Sequence, residues 1–327
     1  MKSEKKSLNK LLYVAMRFDY GRPSQGTSFE FNNFYRTLVR MIPQVVEFDF
    51  MTVMQQTNRE AMNQMLLQVA EREQPDLIFF CLFTDEILPS AIAALSRQWV
   101  TLKWFCDDHW RFHNFSRHYA PQFSFVSTTD VSAIAKYERI GYHHALLTQW
   151  ACNEKDYVKL HEQEKTIAAS FVGQPHGNRR SVVRYLERNG IEVATYGNGW
   201  PNGRISQEEM IRIFNISKIN LNLSNSSWNL RTIFRNQQQI KGRNFEIPGC
   251  GGFILTNYVE GIERYFVLDK EIVCFSDRRD LLEKVRYYLA HDEERSRIAQ
   301  AGYERTLRDH TYEIRFRELF TQMGFVL

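Results

Sequence analysis

Short apolar runs alternate along the chain with longer segments of helical period. Runs at residues 11–16, 45–50, 77–83, 100–106, 123–128 and 145–148 are too short for helices and predict buried strands. Between them, Phe31, Phe34, Tyr35, Leu38 and Val39 fall at the spacing of one apolar helix face, as do Met62, Met65, Leu66, Val69 and Ala70. The pattern then restarts, with strands predicted at 168–172, 191–196, 219–223, 253–256 and 272–275 and helices between them, one over 280–290. Strands alternating with helices predict parallel sheets covered on both faces, hence an α/β protein of two Rossmann-like, doubly wound domains. Between the two series the polar stretch NEKDYVKLHEQEK has the composition of a connector. The expected organisation is a first domain over 1–152, a linker over 153–166 and a second domain over 167–310. A carboxyl-terminal helix over 311–327 is expected to pack back on the first domain.

The length of 327 residues fits two domains of about 150 residues each. A hydrophobic content of 43% and a charged content of 24% exclude a disordered chain. The net charge of +4 permits an anionic ligand and does not demand nucleic acid. Five cysteines stand singly, without CxxC spacing and in odd number, which argues against a disulfide framework or a structural zinc site; no metal site is expected. The apolar run near the amino terminus breaks at Arg17 and Asp19, too soon for a signal-peptide core or a membrane span, so a cytoplasmic location is expected.

Three stretches carry candidate binding chemistry. In SFVGQPHGNRRSVVRYL a strand leads into a loop with Gly173 and Gly177, then Arg179 and Arg180 open a helix. Helix amides and arginine forks suit phosphate oxygens; two solvated arginines are the alternative. YGNGW, with Gly197, Asn198 and Gly199, can bring backbone close to a flat ligand or simply close a turn. Between Arg231 and Arg243 stand four basic residues, Arg231, Arg235, Lys241 and Arg243, and no acid; Glu246 comes next, then Gly249, Gly251 and Gly252. A carboxylate accepts two hydrogen bonds at once, as the vicinal hydroxyls of a ribose require, although Glu246 can equally serve its helix terminus.

The segment from 240 to 319, beginning IKGRNFEIPGCGGFILTN, resembles the carboxyl-terminal domain of CgeB-like glycosyltransferases of the spore-maturation type. SFVG, YGNGW and SKINLNLS stand in that family's order, and PDLIFFCLF, TLKWFCDDHWRFHNFSRHYAP and WACNEKDY resemble its amino-terminal domain. The resemblance implies the GT-B fold and metal-independent transfer, with retention, of a sugar from a nucleoside diphosphate donor to a hydroxyl acceptor, with no further cofactor. It implies that Glu246 holds the ribose and that Arg179 or Arg180, with Lys241 or Arg243, holds the diphosphate. Many retaining relatives carry a second glutamate eight positions earlier; Gln238 stands there in this chain. The alternatives are a nucleotide-sugar epimerase of the same fold and a noncatalytic sugar-binding or structural protein.

The first domain is expected to take the acceptor. Asp107, Asp108 and His109 come after a buried strand, at the end where such sheets carry function; one of the carboxylates can take a proton or anchor a hydroxyl, or both can cap the next helix. Asp85 is a weaker candidate of the same kind. In FDYGRPSQGTSFEFNNF, Gly26 and Thr27 can meet the donor phosphate or admit the acceptor. The acceptor can be a glycan, a protein side chain, a small molecule or a modified nucleic-acid base, and no integral membrane contact is expected.

Overall fold

The computed structural model describes residues 6–161, 163–224 and 238–327, so Arg231 and Arg235 lie outside the described residues. The chain divides into two units, Met1–Gln149 with Tyr312–Leu327, and Trp150–Thr311.

In the first unit β1 is Lys6–Ser7, β2 Lys10–Ala15, β3 Gln44–Asp49, β4 Leu77–Cys81, β5 Val100–Phe105, β6 Phe125–Thr128 and β7 Ala145–Leu147. Strands β2 to β7 make one parallel sheet in the order β3-β2-β4-β5-β6-β7. The apolar runs are continuous because helices cover both faces: all five residues of β4 are buried. In the second unit β8 is Ile167–Val172, β9 Val193–Tyr196, β10 Ser217–Asn222, β11 Ile254–Asn257 and β12 Val273–Phe275. These are also parallel, in the order β12-β11-β10-β8-β9. The segment read as a linker is held within this second unit, where the Asn215 side chain donates to the Val158 carbonyl and accepts from the Leu160 amide.

The last helix, Tyr312–Gln322, belongs to the first unit, and β13, Phe325–Val326, pairs with β1. Phe316 sets its ring 5.5 Å from that of Phe34, 5.8 Å from Phe79 and 6.2 Å from Trp104. Edge-to-face packing of this kind adds to the hydrophobic burial of each ring. Among the described residues no helix is long and apolar enough to cross a membrane.

Two helix faces differ from the expected stripes. Phe31–Tyr35 forms a π turn, and its extra residue rotates the next turns of helix about the axis. Thr37 is therefore buried beside Leu38, and Val39 is exposed. In the helix Arg59–Glu73, Met65 is exposed and Asn63 is buried in its place. The Asn63 amide donates to the carbonyls of Arg59 and Glu86, at 2.8 and 3.1 Å, and its oxygen accepts the Leu88 N–H at 2.8 Å. Asn63→Ala is expected to cost about 1–3 kcal/mol by orphaning these backbone groups, whereas Met65→Gln is expected to stay within about 0.5 kcal/mol. Urea unfolding midpoints of the two variants check the assignment.

Candidate functional site

In the second unit the strand order reverses between β8 and β10, and doubly wound sheets bind ligands at the carboxyl ends of the strands flanking such a reversal. Arg179 sits there, at the start of the helix Arg179–Arg188. Its guanidinium donates to the Gln174 carbonyl after β8, at 2.8 Å, and to the Leu223 carbonyl after β10, at 2.6 Å. Its Nε has no partner, and the ring of Phe171 lies 5.4 Å below it. Burial, followed by the charge of Arg243, brings its pKa down to about 10. His176 is held below its usual range by burial and by the charges of Arg179 and Lys241. These cations therefore share one locality.

The helix Arg243–Gly249 is pinned over the same edge. Asn222, at the end of β10, donates to Asn244 Oδ1 at 2.9 Å and to Thr256 Oγ1 at 3.1 Å, and the Lys241 N–H donates to Asn244 Oδ1 at 2.9 Å. Arg243 donates to Glu246 Oε2 one turn on. Burial pulls the Arg243 pKa down, and the Glu246 carboxylate, with Tyr157, more than offsets it. The Glu246 side chain is 0% exposed, yet its Oε1 has no protein partner. An orphaned buried carboxylate oxygen is costly, and a ligand hydroxyl can satisfy it. Gln238 is half-buried.

Other predicted residues of this unit contact protein. Arg180 is exposed, donates to the Gly199 carbonyl at 2.6 Å and lies over the Trp200 ring. Gly197 has φ +132°, and a Cβ there would stand 2.6 Å from the Gly173 carbonyl oxygen, so the two glycine loops approach each other. Asn198 is exposed at the tip of that turn. A Cβ on Gly252 would meet the Asn220 amide at 2.9 Å, and one on Gly251 would strike the Lys159 stem at 2.7 Å.

In the first unit the order reverses between β2 and β4, and a cavity of about 550 Å³ opens at the carboxyl ends of β2, β4 and β5. Glu30, Lys103, Asp107, Cys81, Cys106 and Trp110 are among its lining residues. Lys103 is 1% exposed, donates to the Leu82 carbonyl at 3.3 Å and has its pKa lowered by burial. Glu30 has its pKa raised, first by burial and then by Asp19 and Asp107, against the pull of Lys103. The ligand atoms of Glu30, Cys81 and Cys106 lie within 4.8 Å of one another, close enough to hold a cation, which the Lys103 ammonium beside both thiols would repel.

Asp107 and Asp108 part company. Asp107 lines the cavity, whereas Asp108 is 1% exposed and accepts the Tyr137 hydroxyl at 2.8 Å. Neither side chain caps the short helix Asp108–Arg111. His109 is half-buried, and its charge acts on Asp130. Thr27 donates to Asn32 Oδ1, and Gly26 is exposed; neither is a lining residue of the cavity. Asp85 pairs with Arg59 at 3.3 Å. Sequence reading missed Glu30, Lys103 and His176. Lys103 had a usable signal, a lone charge inside a strand apolar on both faces, which needs a polar destination when buried.

Residues 179–321 match the family described as Glycosyl transferase-like. That match begins at the helix of Arg179 and runs through the rest of the second unit into the helix Tyr312–Gln322. The likeness to the CgeB type is borne out: the chain is 21% identical over 210 residues to spore protein CgeB of Bacillus subtilis, covering 58% of this chain and 64% of that protein. Among solved structures, HepE of Anabaena in complex with UDP-glucose superposes with a TM-score of 0.62 at 10% identity, over 96% of this chain and 99% of that one. Sucrose-phosphate synthase of Thermosynechococcus elongatus gives 0.64 at 10% identity, over 97% of each chain. The fold is GT-B, with two Rossmann-like domains.

Asp108 and Tyr137 support the scaffold beneath the cavity. Asp108→Ala is expected to lower stability by about 1–3 kcal/mol by stranding the buried Tyr137 hydroxyl, and Asp107→Ala to change it by less than about 0.5 kcal/mol. Chemical denaturation of the two variants side by side is the measurement.

Proposed function

We propose that the chain is a glycosyltransferase that moves a sugar from a nucleoside diphosphate sugar to a hydroxyl-bearing acceptor, without a metal ion and with retention of configuration. The observation that carries this reading is the gathering of Arg179, His176, Lys241 and Arg243 at the strand-order reversal of a glycosyl transferase-like domain, beside the half-satisfied carboxylate of Glu246. Charge develops on the departing diphosphate during transfer, and prepositioned cations stabilise it without metal. Glu246 accepts a ribose hydroxyl by turning out of the interior. That movement releases Arg243 from its pair and frees a guanidinium for a phosphate oxygen.

The acceptor occupies the cavity of the first unit, where Asp107 and Glu30 accept hydrogen bonds from its hydroxyls. Under retention the departing phosphate oxygen takes the acceptor proton, so these carboxylates anchor rather than deprotonate. Retention rests on the resemblance to retaining relatives, with Gln238 as the departure, and the anomeric configuration of the product by NMR decides it. Since HepE is described with UDP-glucose, UDP-sugars are the first donors to test.

Calorimetry with UDP is expected to show binding that weakens by about ten-fold or more in Arg179→Ala and in Glu246→Ala, the loss of one charged hydrogen bond. Uridine is expected to bind far more weakly than UDP. Equal affinities would remove the diphosphate clamp. Chelation of metals is expected to leave transfer intact. Conversion of the donor to an epimer without acceptor would replace transfer by epimerisation.

Transfer by the wild type is expected to fall as pH drops through the raised pKa of Glu30, because the ionised form accepts the acceptor hydroxyl more strongly than the neutral acid does. Glu30→Gln is expected to lower transfer and remove that limb while leaving UDP affinity unchanged. A pH profile superimposable on the wild type would exclude Glu30.

A further inference from the structure

A second polar cavity lies in the second unit at the amino ends of its strands, the edge opposite Arg179. It has a volume of about 250 Å³. Among the described residues that line it four are cations and none is an acid: Lys159, Lys165 just before β8, Lys218 near the start of β10, and Arg295 from the helix Asp292–Asp309. Lys218 and Lys165 reach it because β8 and β10 are adjacent and parallel, pairing Ser217 with Ile167. Among the described residues a carboxylate that acts on this group is Asp292, which is 64% exposed, bonds Arg295 at 2.7 Å and is held below its usual pKa by Arg295 and Lys218.

Three of these cations are fixed by protein contacts. Arg295 is 5% exposed and donates to the Tyr288 carbonyl at 2.5 Å. Lys165 donates to the Asn215 carbonyl at 2.5 Å. Lys159 donates to Gln300 Oε1 at 2.7 Å, and its stem crosses Gly251 where any side chain would collide with it. The glycine that the sequence offers to a nucleotide is thus occupied in placing a lysine at this second cavity. Burial, then Arg295 and Lys159, bring the Lys165 pKa down to about 8, as expected of a partly desolvated ammonium beside other cations.

We propose that this cavity is an anion site, distinct from the donor site, that takes a small phosphate-bearing ligand. Like charges drawn together and partly desolvated destabilise the unliganded fold, and a phosphate dianion removes that cost. Its oxygens can be shared among the Arg295 fork and the lysine ammonium groups. A ligand that binds only this arrangement stabilises the folded chain by mass action. Because the cavity lies at the amino edge of the sheet and Arg179 at the carboxyl edge, both sites can be filled together.

The test is thermal unfolding of the full chain in inorganic phosphate against chloride at equal ionic strength, paired with calorimetric titration of phosphate. The expected result is a rise in Tm in the wild type and at least about a ten-fold weaker phosphate affinity in the double variant Lys165→Met, Lys218→Gln, with no change in Arg179→Ala. In chloride the double variant is expected to melt no lower than the wild type, since repulsion is relieved. Should it fail to fold, Lys218→Gln alone is expected to give a partial loss. The proposal is overturned by wild-type phosphate affinity in these variants, by loss in Arg179→Ala, which would put the phosphate in the donor site, or by no Tm shift up to about 50 mM phosphate.

Discussion

Because every strand of the two principal sheets runs parallel, all strand carboxyl ends fall on one edge of each sheet and all amino ends on the other. In both units the second strand lies on one side of the first and the third strand on the other, so successive crossovers leave in opposite directions. Side chains leaving the strand ends there are hemmed in by loops rather than by a neighbouring strand. In the second unit Arg179 and Asn222 are placed by this arrangement, and in the first unit Lys103, from the neighbouring β5, and Asp107, just after it, line the cavity beside it.

Confinement at that edge sets a second condition, since a charge held away from water needs a partner. Backbone carbonyls supply it for Arg179 and Lys103, and Arg243 supplies it for Glu246. Two of these solutions are incomplete in one atom: the Arg179 Nε and Glu246 Oε1 have no protein partner. A rigid scaffold can hold such groups because its own packing is complete around them. Buried aromatic residues such as Phe34, Phe79, Trp104 and Phe316 provide that packing in the first unit.

The parallel α/β architecture was legible because strands buried on both faces must be short continuous apolar runs, and the eleven expected runs each overlap a strand. Helix faces were less so: one π turn after Glu30 moved Val39 outward, and Asn63 won a buried position over Met65 because three backbone groups needed it. Glycines were ambiguous in principle. Gly197 and Gly251 have the same sequence appearance whether a ligand or another stretch of protein comes close, and here it is the Gly173 carbonyl and the Lys159 stem. The basic cavity had no sequence signature at all, since Lys165, Lys218 and Arg295 come from separate elements that only the folded sheet and its covering helix bring together.

The helix Tyr312–Gln322 bears on how the molecule is made. Ribosomal synthesis delivers residues 1–149 first, with Phe34, Phe79 and Trp104 already in place but the rings of Phe316 and Phe320 still missing. The second unit, contiguous from Trp150 to Thr311, is complete before the first. The amino-terminal part of the chain therefore waits, with an apolar face uncovered, for the helix Tyr312–Gln322 to emerge, and a chain cut after Thr311 holds a finished second unit attached to an unfinished first.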